Sequence, residues 1–275
     1  MAKMQELDIP SGRARLFAVE SGEGRPVVCL HAGVADHRMY LPLHAAMSDR
    51  ARLLSYDRRE FGRTRAPDEP FSHVADLAAV IAARDLAPAV LVGCSQGGRI
   101  AIDFALRWPD RVAGLFLVAP AVSGMPAPRL DADLAALEAE IDAAYEVEAL
   151  ERINRLERQA WLDGPRAAPG RVSGAARDLF SRMNMDALRQ PELLQEQEPP
   201  EAWHRVAEIA CPVRIFCGTL DFPYKIAAAE YLAAQMPGAA FAPLDGMAHM
   251  PFLEDPALMA GRVGAFLDAL DGASE

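Results

Sequence analysis

Short apolar runs and stretches of helical spacing take turns along most of this chain. Pro26-Val27-Val28-Cys29-Leu30 is a continuous apolar run and predicts a strand buried on both faces. Leu53-Leu54-Ser55-Tyr56-Asp57, the runs 89–92 and 112–118, Val213-Arg214-Ile215-Phe216-Cys217 and the run 239–243 predict further strands. Between them Met39, Leu43 and Met47 suit a helix, as do Val74, Leu77, Val80 and Ile81, and then Ile100, Ala101, Phe104 and Ala105. These residues recur at the three- and four-residue steps of one helix face. Similar spacing marks 226–236 and a closing helix over 256–270. Residues 4–9 and 14–20 alternate weakly around Ser11-Gly12 and predict an edge hairpin. Buried strands alternating with amphipathic helices predict an α/β fold, a mostly parallel central sheet with helices on both faces.

The rhythm breaks between about Ser123 and Pro200, where no stretch reads as a strand. Leu130-Asp131-Ala132 opens a helical run through Tyr145. Leu150, Ile153, Leu156 and Trp161 keep helical spacing as far as Asp163-Gly164-Pro165, and 175–188 forms a third helix. Prolines at 126, 128, 199 and 200 bound the segment. The expected organisation is a core made of residues 1–122 and 201–275, with residues 123–200 inserted as a helical cap.

Composition narrows the class. A chain of 275 residues, 51% of them hydrophobic, can fill one large core and carry an inserted subdomain. A net charge of -11 argues against nucleic acid and against an anionic membrane surface as partners. No apolar run reaches membrane-span length, and Met1-Ala2-Lys3-Met4 leads into no signal-type apolar stretch. Cys29, Cys94, Cys211 and Cys217 lack zinc-ligand spacing; three read as strand residues and Cys94 as part of a turn. Free thiols in a reducing cytoplasm are expected. There is no HExxH and no His/Cys/Asp cluster in sequence, so no metal site is expected.

Candidate chemistry centres on Gly93-Cys94-Ser95-Gln96-Gly97-Gly98. A strand that turns straight into a helix at a serine leaves that serine on a sharp, strained bend with its hydroxyl exposed. Gly93 and Gly97 are small where strand and helix would collide. The first free N–H groups of the helix, Gln96 foremost, point at whatever Ser95 attacks. GxSxG alone also fits a glycine-rich turn with an incidental serine. A serine nucleophile needs a base, and the base an orienting acid. Gly218-Thr219-Leu220-Asp221 leaves one strand end, and Met247-Ala248-His249-Met250-Pro251 follows the last strand. Both fall at the same carboxyl edge of the sheet as Ser95, where open parallel sheets bind their ligands. His249 fits the base better than the other five histidines; His31 instead suits fixing its own loop by hydrogen bonds. Asp221 competes with Asp245 and Glu254 as the acid.

The chain resembles α/β-hydrolase-fold enzymes of the capped, single-domain kind, which include small carboxylesterases, enol-lactone hydrolases and carbon–carbon bond hydrolases. The resemblance spans the whole chain. Beyond the Ser95 bend it rests on Leu30-His31-Ala32-Gly33, on Tyr56-Asp57-Arg58-Arg59-Glu60-Phe61-Gly62-Arg63-Thr64, on Gly218-Thr219-Leu220-Asp221 and on the run from Ala248-His249 to Asp255-Pro256. It implies Ser95 as nucleophile, Asp221 as acid and His249 as base. It also implies an oxyanion hole from the backbone N–H groups of Gln96 and of Gly33 or Val34. No cofactor is implied. Two positions depart from the family pattern, Ala32 and Glu60, where glycine is usual.

The expected activity is that of a serine esterase or lactonase, with a small-molecule ester or lactone as its partner. Carbon–carbon bond cleavage and a non-catalytic ligand-binding protein are the alternatives. Val34, Trp161, Phe180 and the pair Met183 and Met185 are candidate pocket walls; Trp161, Phe180 and the methionines fit cap-to-core packing equally well. Arg58, Arg59 and Arg99 fit either attraction of a carboxylate-bearing substrate or a solvated surface.

Overall fold

A computed structural model describes residues 4–272, so the outermost residues of both core segments, 1–3 and 273–275, lie outside the described residues. Eight strands form one sheet: β1 (Gln5–Ser11), β2 (Ala14–Ser21), β3 (Arg25–Leu30), β4 (Ala51–Tyr56), β5 (Ala89–Cys94), β6 (Val112–Val118), β7 (Val213–Gly218) and β8 (Ala239–Leu244). Their order is β1-β2-β4-β3-β5-β6-β7-β8. The predicted hairpin β1/β2 is antiparallel and joins β4 antiparallel; every later pairing is parallel.

The continuous apolar runs reflect burial on both faces. In β3, Val28 and Leu30 belong to one apolar cluster while Val27 and Cys29 belong to another. The first cluster includes residues of α2 (His73–Arg84), α3 (Gln96–Arg107) and α7 (Pro223–Gln235); the second includes residues of α1 (Leu41–Met47) and α8 (Pro256–Gly272). Each face of the sheet thus receives alternate strand residues, as a period of two requires. Cys211 is a correction to the strand reading: it precedes Pro212, outside β7.

The segment between β6 and β7 holds α4 (Ala132–Glu146), α5 (Leu150–Glu157) and α6 (Gly174–Leu188), and no strand. After α5 the backbone widens into a π-helical stretch, Arg158–Asp163, so the helical spacing through Trp161 continues on a looser turn. The segment is pinched at its base, where the Ser123 carbonyl accepts the N–H groups of Ala202 and Trp203, both at 2.9 Å. Among the described residues no helix is long and apolar enough to cross a membrane.

Candidate active site

Ser95 sits between β5 and α3 with φ +52° and ψ -114°. A side chain in that left-handed region costs about 1–3 kcal/mol and persists only where its surroundings hold it. Here the Ser95 N–H donates to the Val118 carbonyl at 2.9 Å, and its carbonyl accepts from Gly98, Arg99 and Ala121. The glycines are steric necessities. A Cβ on Gly97 would stand 2.0 Å from the Leu30 carbonyl oxygen, and one on Gly93 would stand 2.6 Å from that of Gly97.

Asp221 leaves the end of β7 and His249 lies in the loop after β8, both buried. Asp221 Oδ2 is 2.7 Å from His249 Nδ1. Its other oxygen accepts the Phe222 N–H at 2.7 Å. The competing acid Glu254 does other work: it accepts the Ala248 N–H at 2.9 Å and pairs with Arg171 at 2.6 Å, bracing the loop rather than the imidazole. Burial raises the pKa of Glu254, and the Arg171 hydrogen bond opposes the rise. Near Asp221, burial lowers the pKa of the Lys225 ammonium while the carboxylate works against that shift.

Ser95 and His249 line one cavity of about 230 Å³. The sheet side adds Ala32, Gly33, Val34 and Gln96; the insertion adds Tyr145, Glu157 and Trp161. The two candidate oxyanion donors, Gly33 and Gln96, are therefore both in its wall. The peptide that carries the Gly33 N–H is anchored from behind. The Arg58 N–H donates to His31 Nε2 at 3.0 Å, which leaves Nδ1–H of His31 to donate to the Ala32 carbonyl at 2.8 Å. The Arg58 guanidinium reaches the same carbonyl at 3.3 Å. In a trans peptide C=O and N–H point in opposite directions, so these anchors turn the Gly33 N–H away from His31.

Two arginines and one acid lie where the pattern of polar and apolar positions does not put them, and one phenylalanine takes the packing role that its spacing left open. Arg58 and Arg59 are buried, 1% and 2% exposed, not solvated. Arg59 is paired with Asp76 and Glu69, and burial brings the pKa of Arg58 down to about 10. Phe180 is fully buried with Leu162 and Met183 in the core and is not in the cavity wall. Glu157 is a wall residue that no sequence motif marks; it shares the buried stripe of Ile153 and Ala160, and an acid on an apolar stripe was the available clue. Glu60, at φ +70°, accepts the Leu193 N–H at 2.6 Å and ties its loop to the insertion.

Two other features lie away from this chemistry. A cavity of about 360 Å³ is lined by Ser72, Asp103, Arg107 and Pro199, and shares no residue with the Ser95 site. Asp36, His37 and Asp57 bring three potential metal-ligand atoms within 4.8 Å of one another. Their donors are engaged: Asp57 accepts from His37 and the Arg63 N–H, and Asp36 holds Arg38. That cluster braces the 57–64 loop.

The sequence profile of the alpha/beta hydrolase family matches residues 27–262. The chain is 30% identical over 245 residues to the pimeloyl-[acyl-carrier protein] methyl ester esterase of Chromobacterium violaceum, covering 86% of this chain and 92% of that protein. It is 26% identical to the proline iminopeptidase of Heyndrickxia coagulans, covering 96% and 98%. The esterase structure from Exiguobacterium antarcticum superposes with a TM-score of 0.76 at 18% identity, over 96% of this chain and all of that one, a likeness of fold. With the serine on its strand-to-helix bend and the match running from β3 through β8, the chain belongs to the alpha/beta hydrolase family.

Proposed function

We propose that the protein is a serine hydrolase that cleaves a small carboxylic ester or lactone through Ser95, His249 and Asp221 and an acyl-enzyme intermediate, with residues 123–200 as its cap. The observation that carries this reading is the 2.7 Å contact between Asp221 and His249 Nδ1 behind a cavity whose wall includes both His249 and Ser95. An ionised carboxylate only accepts, so Asp221 takes the Nδ1–H and leaves Nε2 as the base. His249 removes the Ser95 proton as Ser95 attacks the acyl carbon. The Gly33 and Gln96 N–H groups bind the developing oxyanion, each worth about 3–4 kcal/mol in comparable sites. The imidazolium protonates the leaving alcohol, and water repeats the attack on the acyl-enzyme.

A cavity of about 230 Å³ is smaller than the ~300–1,000 Å³ pockets of drug-sized ligands, which supports a small substrate. A relative named as a methyl ester esterase supports an ester. All four cysteines are free thiols, which supports the cytoplasm as the compartment. Burst release of p-nitrophenol from a short ester, lost in Ser95→Ala, tests the reading. Binding without any turnover would favour a non-catalytic ligand-binding protein instead.

A further inference from the structure

Glu157 is the carboxylate in the wall of the Ser95 cavity, and it is 8% exposed. Its Oε1 accepts from the Tyr145 hydroxyl at 2.9 Å and its Oε2 from the Asn184 amide at 2.7 Å. Both donors are neutral. Burial raises its pKa, and only those two hydrogen bonds work against the rise; no cation does. Among the described residues no arginine or lysine lines this cavity, and Arg158, the next residue along the chain, donates to the Ser181 hydroxyl.

A carboxylate taken out of water is costly unless a counter-charge accompanies it. Two neutral hydrogen bonds offset part of that cost, and a cationic ligand would supply the rest. The rings of Tyr145 and Trp161 border the same cavity, and aromatic surface also attracts cations. We propose that the cavity selects esters carrying a cationic nitrogen, held by Glu157 beside Tyr145 and Trp161 while Ser95 attacks the carbonyl. The proposal rests on the serine-hydrolase reading and adds the charge of the substrate. Esters bearing a carboxylate or phosphate meet like charge in this wall and are turned over poorly.

Two isosteric pairs test it by pH-stat titration at pH 7. β-Alanine methyl ester against methyl butyrate puts the charge on the acyl side; acetylcholine against 3,3-dimethylbutyl acetate puts it on the alcohol side. The wild type should favour the cationic member of at least one pair. Glu157→Gln should lower that pair's cationic-to-neutral ratio of kcat/KM at least about tenfold, the effect of losing a close charge pair. Comparing ratios between the two proteins cancels the intrinsic reactivity of the esters. Glutamine keeps the shape and can bond both Tyr145 and Asn184. A ratio unchanged by the substitution overturns the proposal.

If the variant does not fold, the wild type decides: choline should inhibit hydrolysis of methyl butyrate at lower concentration than 3,3-dimethylbutan-1-ol, and equal or weaker inhibition overturns the proposal. Absence of Ser95-dependent turnover of all four esters is a different failure, that of the hydrolase reading. Calorimetric titration of choline against 3,3-dimethylbutan-1-ol then decides the cation site by itself, with no preference for choline overturning it.

Discussion

The two halves of the cavity wall are held by different means. On the sheet side, all six residues of β5 are buried and so are eight of the twelve in α3, so Ser95 is positioned by the close packing of the strand and helix that flank it. On the insertion side, α4 buries only Leu134 and Ala144 of its fifteen residues, so packing alone cannot fix it. Beyond α4, ionic clamps supplement the packing of the insertion. Arg171 spans the Leu162 carbonyl, the Gly246 carbonyl and Glu254, while Asp163 gathers Arg177 with the Gly170 and Val172 N–H groups. Dense packing holds atoms to tenths of an ångström and resists substitution; a clamped helix layer tolerates it. The proposed function accordingly puts bond-making geometry in the sheet half and substrate choice in the insertion half.

The most severe test of that division is Ser95→Ala. Its kcat should fall by several orders of magnitude, up to about a millionfold as in other triads. The melting temperature should move by less than about 2 °C, because no packing is lost. Retention of more than about a tenth of the activity would remove Ser95 from its role. Next in size is Asp221→Asn, which favours the wrong His249 tautomer and should cost about ten-thousand-fold. Asp245→Asn should change kcat little; if it is the more damaging of the two, the acid is elsewhere.

A third prediction probes stability in the packed half. His44 is buried between the Ser21 and Ser55 hydroxyls, and desolvation brings its pKa down to about 4, from about 6.5 in an unfolded chain. Above pH 6.5 both states are neutral. Between about 6.5 and 4 the unfolded chain binds a proton that the native site refuses, so stability falls as pH falls through this window. His31 and His73, also lowered by burial, act in the same direction. At pH 5 the His44 share is about 2 kcal/mol. Urea unfolding at pH 7 and pH 5 should show a loss smaller by that amount in His44→Gln; equal losses would refute it.

The smallest effect belongs to the insertion. For p-nitrophenyl esters, kcat/KM should peak at about two to six acyl carbons and fall at least about tenfold for long chains, as overpacking sets in. A preference for about twelve carbons or more, measured below the micelle-forming concentration, would mean that the insertion side is open and mobile rather than clamped.

The sheet was legible because burial on both faces leaves a plain mark, an apolar run with no polar beat. Val27 and Val28 could be assigned to a strand without knowing which cluster each would join. Ser95, Asp221 and His249 were legible as candidates because each follows a strand and the strands share one edge. Arg58 and Arg59 were not, because hydropathy reads a charge as solvent-facing. What buries Arg59 is Asp76 and the Ser11 carbonyl, 17 and 48 residues away, and distant pairing leaves no local pattern. The choice between pocket wall and core packing stayed open for Phe180 for another reason. Spacing shows that a helix has an apolar face, but whether that face meets a cavity or the core depends on how the helix is rotated.

The π-helical turn also makes a reporter. Its Trp161 carbonyl accepts the His249 backbone N–H at 3.2 Å, and the two rings lie 4.8 Å apart. That amide is protected from solvent only while the insertion is docked. Its hydrogen-exchange rate therefore counts how often the roof lifts, on a peptide that needs no label and no added probe. A ligand that seats the roof should slow this exchange ahead of the sheet amides, whose opening requires the core itself to come apart.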